Sequence, residues 1–125
     1  MRAYLASVSF MDSQVGRVLT ALRASGQLEN TIIVVWGDHG WHLGDHGIWC
    51  KHTNYEQAAH IPLVVVAPQV ARAGTRTTAL AESVDIYPTL VELSGAKVAK
   101  QPVLDGTSLV PLFDGQMTVR TRPIG

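Results

Sequence analysis

The sequence predicts an α/β fold in which a short central sheet is flanked by helices. Three observations predict it: an apolar stripe at helical spacing over residues 3–25, continuous apolar runs at 32–36 and 61–67, and a second helical pattern at 84–94. Strands apolar on both faces belong between two layers, and the order α-β-β-α is that of a layered sandwich. The composition agrees. With 125 residues, 46% apolar and 16% charged, the chain is globular and long enough for one modest core. A net charge of zero gives no electrostatic case for nucleic acid or an anionic membrane. No apolar run approaches the roughly 20 residues needed to span a bilayer. A single cysteine excludes an internal disulfide and leaves the compartment open.

Each element has a local reason. Leu5, Val8, Met11, Val15, Val18, Leu19 and Leu22 recur at steps of three and four, giving one helix face over 3–25, and Gly26 is placed to end it. Ile32–Val35 are β-branched and form the first strand, 32–36. Residues 55–60 suit a short helical turn. The second strand, 61–67, carries Pro62 near its start, where a missing N–H costs least. In the helix at 84–94, Asp85 is a plausible N-cap, Pro88 sits in the first turn and Gly95 stops it. Asp105-Gly106 marks a turn, and Leu109, Val110 and Leu112 a small apolar element. Two central strands make a poor sheet by themselves, so the chain is expected to belong to a larger α/β domain or to oligomerise.

The chemistry is concentrated where the first strand ends. Behind Trp36, the glycine-studded segment from Gly37 to Gly47 carries Asp38, His39, His42, Asp45 and His46, with Cys50 and Lys51 just beyond. Open α/β sheets place their sites at such strand ends. Three readings fit these residues. Asp38 and His39 can be two ligands of a hard divalent cation. His39, His42, His46 and Cys50 can form a self-contained zinc cluster, although the spacing matches no ribbon or finger. The same side chains can simply cap turns.

The residues also carry a family resemblance. Thr31-Ile-Ile-Val-Val-Trp-Gly-Asp-His-Gly40, Leu43-Gly-Asp-His-Gly47, Lys51 and His60-Ile-Pro-Leu-Val64 resemble the C-terminal half of a sulfatase catalytic domain, in the alkaline phosphatase superfamily. Ser9–Gly16, Ser83–Leu90 and Leu104–Leu109 resemble its flanking signatures, so the likeness runs collinearly over roughly residues 3–115. Gly40-Trp41 after Asp-His, and Trp49-Cys50-Lys51, point toward the iduronate-2-sulfatase-like branch; choline sulfatases and phosphonate monoester hydrolases share much of the pattern. The resemblance implies a fragment of an alkaline-phosphatase-like α/β/α sandwich, with residues 1–115 a partial catalytic domain and 116–125 a frayed tail.

The resemblance also implies roles. Asp38 and His39 match ligands of one divalent metal, calcium or in some relatives manganese, which acts as a Lewis acid on a sulfate oxygen. Lys51 matches the lysine that contacts the sulfate, where a compact cation offsets charge on the transferring group. Trp41 is expected either as a wall of the substrate pocket or as an ordinary packed aromatic, and His42 to face substrate or solvent. His46 is expected to brace the loop by hydrogen bonding, His60 to be structural, and Cys50 to be a small buried or half-buried side chain. The implied partner is a sulfated small molecule or sugar, with no nucleic acid and no membrane span, and a homo-oligomer is open. Members of this family are often exported, but these residues carry no signal peptide.

One departure stands out. The Cys/Ser-x-Pro-x-Arg signature, whose first residue becomes the formylglycine nucleophile in this family, does not occur in these 125 residues, nor does an upstream Asp-Asp pair. Met1 falls directly ahead of the helix leading to the metal strand, so the chain is expected to be a piece of a longer polypeptide, inactive alone. The alternatives are a non-catalytic remnant or interaction module, and a phosphodiesterase or phosphonate monoester hydrolase of the same superfamily.

Overall fold

The computed structural model describes residues 1–68, 70, 73–97 and 103–113. The expected tail at 116–125 lies outside them. In chain order the elements are α1 (Arg2–Ala24), β1 (Ile33–Trp36), β2 (His42–Leu43), β3 (Trp49–Cys50), α2 (Glu56–Ala59), β4 (Leu63–Val66), α3 (Ile86–Ser94) and α4 (Val110–Phe113), with 3-10 turns at Leu28–Asn30, Asp45–Gly47 and Ser83–Asp85. The α/β class is as the sequence predicts. The two strands expected at the centre pair with each other, β1 with β4, while β2 and β3 form a separate antiparallel hairpin. No helix among the described residues is long and apolar enough to cross a membrane.

The chain divides into two compact units. The first comprises Met1–Thr31 and Val35–Val64, the second Ile32–Val34 and Val65–Gly125. In the first, α1 ends where expected: Ser25 is the C-cap, and Gly26 follows with φ +72°, its N–H donating to the Arg23 carbonyl at 3.1 Å. The Gly37 N–H donates to the Pro62 carbonyl at 3.1 Å, tying the end of β1 to the residue before β4. Beyond it, the Gly40 N–H donates to Ala58 O at 2.8 Å and the Trp41 N–H to Gln57 O at 3.0 Å, so the loop lies directly on the α2 backbone. A Cβ on Gly40 would run into the Gln57 carbonyl. Glycine is therefore required here by close approach.

In the second unit Asp85 stands at the N-cap position of α3, as expected, but it is fully buried and its side chain makes no capping bond to that helix. Its Oδ2 accepts from the Glu82 N–H at 2.8 Å, closing a capping box around the 3-10 turn. Its Oδ1 accepts from the Thr107 N–H at 2.8 Å, 22 residues away. Thr89, one turn on, donates its hydroxyl to the Asp85 carbonyl at 2.6 Å and accepts from the Leu109 N–H at 2.9 Å. This clamp draws the 104–109 segment onto the start of α3. Gly106 permits it, since a Cβ there would meet the Val84 carbonyl.

Burial corrects a second expectation. The strands were expected to be covered on both faces, yet Trp36 is 48% exposed and Val64 51%. The apolar stripe of α1 is likewise open, and no α1 residue is buried. The physical reason is that the described residues supply no layer over these faces. The most buried side chains are polar, His42 in the first unit and Asp85 and Thr89 in the second.

Candidate active site

The loop from Gly37 to Thr53, carried between β1 and α2 in the first unit, gathers the candidate residues. Asp38 follows the last residues of β1, and Lys51 follows β3. The hairpin fold brings them together across 13 positions, with Lys51 Nζ 3.2 Å from Asp38 Oδ2. The hydrogen bond from Lys51, and then its charge, holds the Asp38 carboxyl below its ordinary value of 3.8, so it is an ionised oxygen donor at neutral pH. Asp38 is 75% exposed and Lys51 34%. A pair this wet contributes little to stability; its interest lies in placing a carboxylate and an ammonium at one accessible point.

His39 is set for coordination by its neighbour. Its Nδ1 lies 2.9 Å from the Gly40 carbonyl. A carbonyl can only accept, so Nδ1 carries the proton and, in the neutral ring, Nε2 is the nitrogen with a lone pair to offer. Asp38 and His39 are thus donors of the types that a divalent cation takes. A hard cation such as calcium takes six to eight oxygens, roughly, and among the described residues no three His, Cys, Asp or Glu side chains converge to hold a metal. The self-contained cluster of His39, His42, His46 and Cys50 is accordingly not formed. His52, which the sequence did not single out, lies beside His39 with ring centroids 6.4 Å apart.

The remaining candidates separate by burial. Trp41 is partly exposed and rests against Tyr4 of α1, ring centroids 6.2 Å apart at 31°. His42, expected to face substrate or solvent, is instead withheld from solvent entirely. Its Nδ1–H donates to Asp45 Oδ2 at 2.5 Å, and the Thr53 hydroxyl donates to its Nε2 at 2.6 Å. With both nitrogens occupied inside the hairpin, the ring has nothing left to offer a ligand. The bond from His42 lowers the Asp45 pKa below the ordinary value, against the opposing effect of desolvation, and the Leu43 N–H adds to it.

His46 braces the loop by stacking rather than hydrogen bonding, its ring on Tyr55 at 4.7 Å and 27°. Cys50 is exposed, not buried, because β3 presents it outward with φ +85°. His60 pairs with Glu56 at 3.0 Å on the open surface of α2. Sequence reasoning gave Asp45 no role of its own and missed Thr53 and Tyr55. The His-x-x-Asp spacing of 42 and 45 was a usable signal, whereas Thr53 gave none.

The comparisons with known proteins fall on the same residues. The sulfatase family model matches residues 1–96. The chain belongs to the sulfatase family. A sulfatase of Formosa agariphila is 48% identical over 95 residues, covering 76% of this chain and 18% of that protein. The human iduronate 2-sulfatase is 36% identical over 121 residues, covering 78% of this chain and 22% of that one. Among solved structures, the phosphonate monoester hydrolase SpPMH from Silicibacter pomeroyi superposes with a TM-score of 0.73 at 40% identity, over 83% of this chain and 20% of that one. The α/β arrangement is thus an alkaline-phosphatase-like fragment. This sulfatase-family chain spans about a fifth of the length of the relatives it matches.

Proposed function

We propose that this chain is the metal- and sulfate-contacting portion of a sulfatase-type hydrolase. The observation that carries this reading is the meeting of Asp38 and Lys51 at one accessible point, with His39 the next residue along the chain. Asp38 and the Nε2 of His39 would hold a divalent cation, calcium or manganese. When bound, that ion supplies Lewis-acid charge at the sulfate oxygens. Lys51 places a second positive charge beside it and binds the sulfate group as a compact donor. Trp41, braced by Tyr4, offers a partly exposed aromatic face for a sulfated small molecule or sugar. His42 does not touch substrate in this reading.

Sulfate ester cleavage in the family uses a nucleophile that these 125 residues do not contain. The chain alone is therefore expected to bind calcium weakly and to release no nitrocatechol from its sulfate ester. Isothermal titration with calcium tests the first point: binding should be lost in D38N and in H39A, and equal binding in those variants refutes the assignment. Full-rate turnover by the purified chain would overturn the second. A phosphonate or phosphate ester as the reacting group is the second reading, supported by the likeness to the phosphonate monoester hydrolase. Comparing inorganic sulfate with methylphosphonate as ligands of the Lys51 site separates the two.

A further inference from the structure

We propose that His42 is the positioning residue of Lys51, fixing the ammonium at the point where it meets the anion. The proposal rests on the reading of Lys51 as the sulfate contact. His42 grips the chain on both sides of Lys51. In the register of β2 and β3 it stands opposite Cys50, the residue before Lys51. Through Nε2 it is held to Thr53, two residues after, at 2.6 Å. Between these anchors the backbone makes a tight turn, with the Thr53 N–H donating to the Lys51 carbonyl at 2.8 Å. The turn is entered through Cys50 in a left-handed conformation, φ +85°, which a side chain rarely adopts unless its surroundings hold it there.

The ring itself has one orientation open to it. Asp45 takes the Nδ1–H and also accepts from the Leu43 N–H at 3.3 Å, which locks the carboxylate to the same hairpin. The Thr53 hydroxyl donates to Nε2 and accepts from the Tyr55 N–H at 3.4 Å, so each group in the chain Asp45–His42–Thr53–Tyr55 has a partner. Tyr55 packs edge-on against the His42 ring at 6.0 Å and 85°. Flipping the ring would put Cδ2 against Asp45 and Cε1 against Thr53, losing both hydrogen bonds. A residue that only filled space here would need none of this. An apolar side chain would pack, but would take from the Asp45 Oδ2 and the Thr53 hydroxyl their shared His42 partner and leave the Lys51 turn without its far anchor.

The full chain, labelled for observation of lysine side-chain Nζ and Cε resonances, provides the test, with inorganic sulfate as the anion probe. D38N supplies the reference position of a Lys51 released from its carboxylate, and K51A assigns the signal. In T53V, which removes only the hydroxyl, and in H42A, the Lys51 resonance should move to the D38N position. Sulfate affinity should fall about tenfold, the loss of one hydrogen bond from an ionised group. T53S should restore both. If H42A fails to fold, T53V decides alone. An unchanged Lys51 resonance and unchanged sulfate affinity in folded T53V overturn the proposal and leave His42 a structural fastener. If wild type and K51A respond to sulfate alike, the sulfate reading of Lys51 fails, while the Lys51 resonance in T53V still decides the positioning role.

Discussion

Replacing Asp85 should dismantle the clamp between α3 and the 104–109 segment, and its size can be worked from two bonds. The buried carboxylate accepts from the Glu82 and Thr107 amides, each at 2.8 Å. A hydrogen bond to a charged group contributes roughly 1.5–3 kcal/mol, so D85A should cost about 3–6 kcal/mol. A folded domain has only about 5–15 kcal/mol in total, so D85A is expected to unfold the second unit under mild conditions. D85N should lose about half as much, because the amide keeps one acceptor oxygen and turns an NH2 toward the other N–H. The assay is native-state hydrogen exchange read at the Glu82 and Thr107 amides, alongside a urea titration. In D85N one of the two amides should lose protection while the other keeps it. If D85A shifted stability by less than about 1 kcal/mol, below even one such bond, the carboxylate would not be holding these donors and the clamp reasoning would fail.

Other perturbations follow from the same geometry. G40A forces a Cβ into the Gln57 carbonyl; the urea midpoint should fall by an amount worth about 1–3 kcal/mol or more, and calcium binding at Asp38 and His39 should weaken with it. Asp45 and Asp38 have lowered pKa values through His42 and Lys51 respectively. Their contribution is therefore present above the ordinary carboxylate value of 3.8 and is lost as pH falls through it toward the depressed values. Urea midpoints measured from neutral pH downward should drop on that acid limb, and D45N should flatten it; an acid limb unchanged in D45N would show that the His42 contact does not bias Asp45. Raising salt should loosen the Lys51–Asp38 contact, seen in the Lys51 resonance, because both side chains are open to solvent.

Much of the layout was legible because it rests on local rules. The stripe from Leu5 to Leu22 requires a helix, Gly26 ends it, and the β-branched runs at 32–36 and 61–67 are strands trimmed by a residue or more at their ends. The pairing of Asp38 with His39 at a strand end could likewise be read as a site. Burial could not. Periodicity says which residues want cover, not whether these 125 residues supply it, so Trp36 and Val64 were expected inside and lie half open. Asp85 shows the same limit: its spacing to α3 suggested a cap, but the second of its two amide partners lies 22 residues along the chain.

By itself the sequence determined the order of the two long helices and the two paired strands, the sulfatase kinship and the candidacy of Asp38, His39 and Lys51, since these depend on residue type and spacing, but not the β2–β3 hairpin between the strands. The tertiary structure decided which of the polar loop residues face outward. It turned His42 inward onto Asp45 and Thr53, left Cys50 exposed, and set Lys51 Nζ 3.2 Å from Asp38. The physical reason is that a histidine's role depends on what occupies its two nitrogens. Those partners, three and eleven residues away, meet it only once the β2–β3 hairpin has closed.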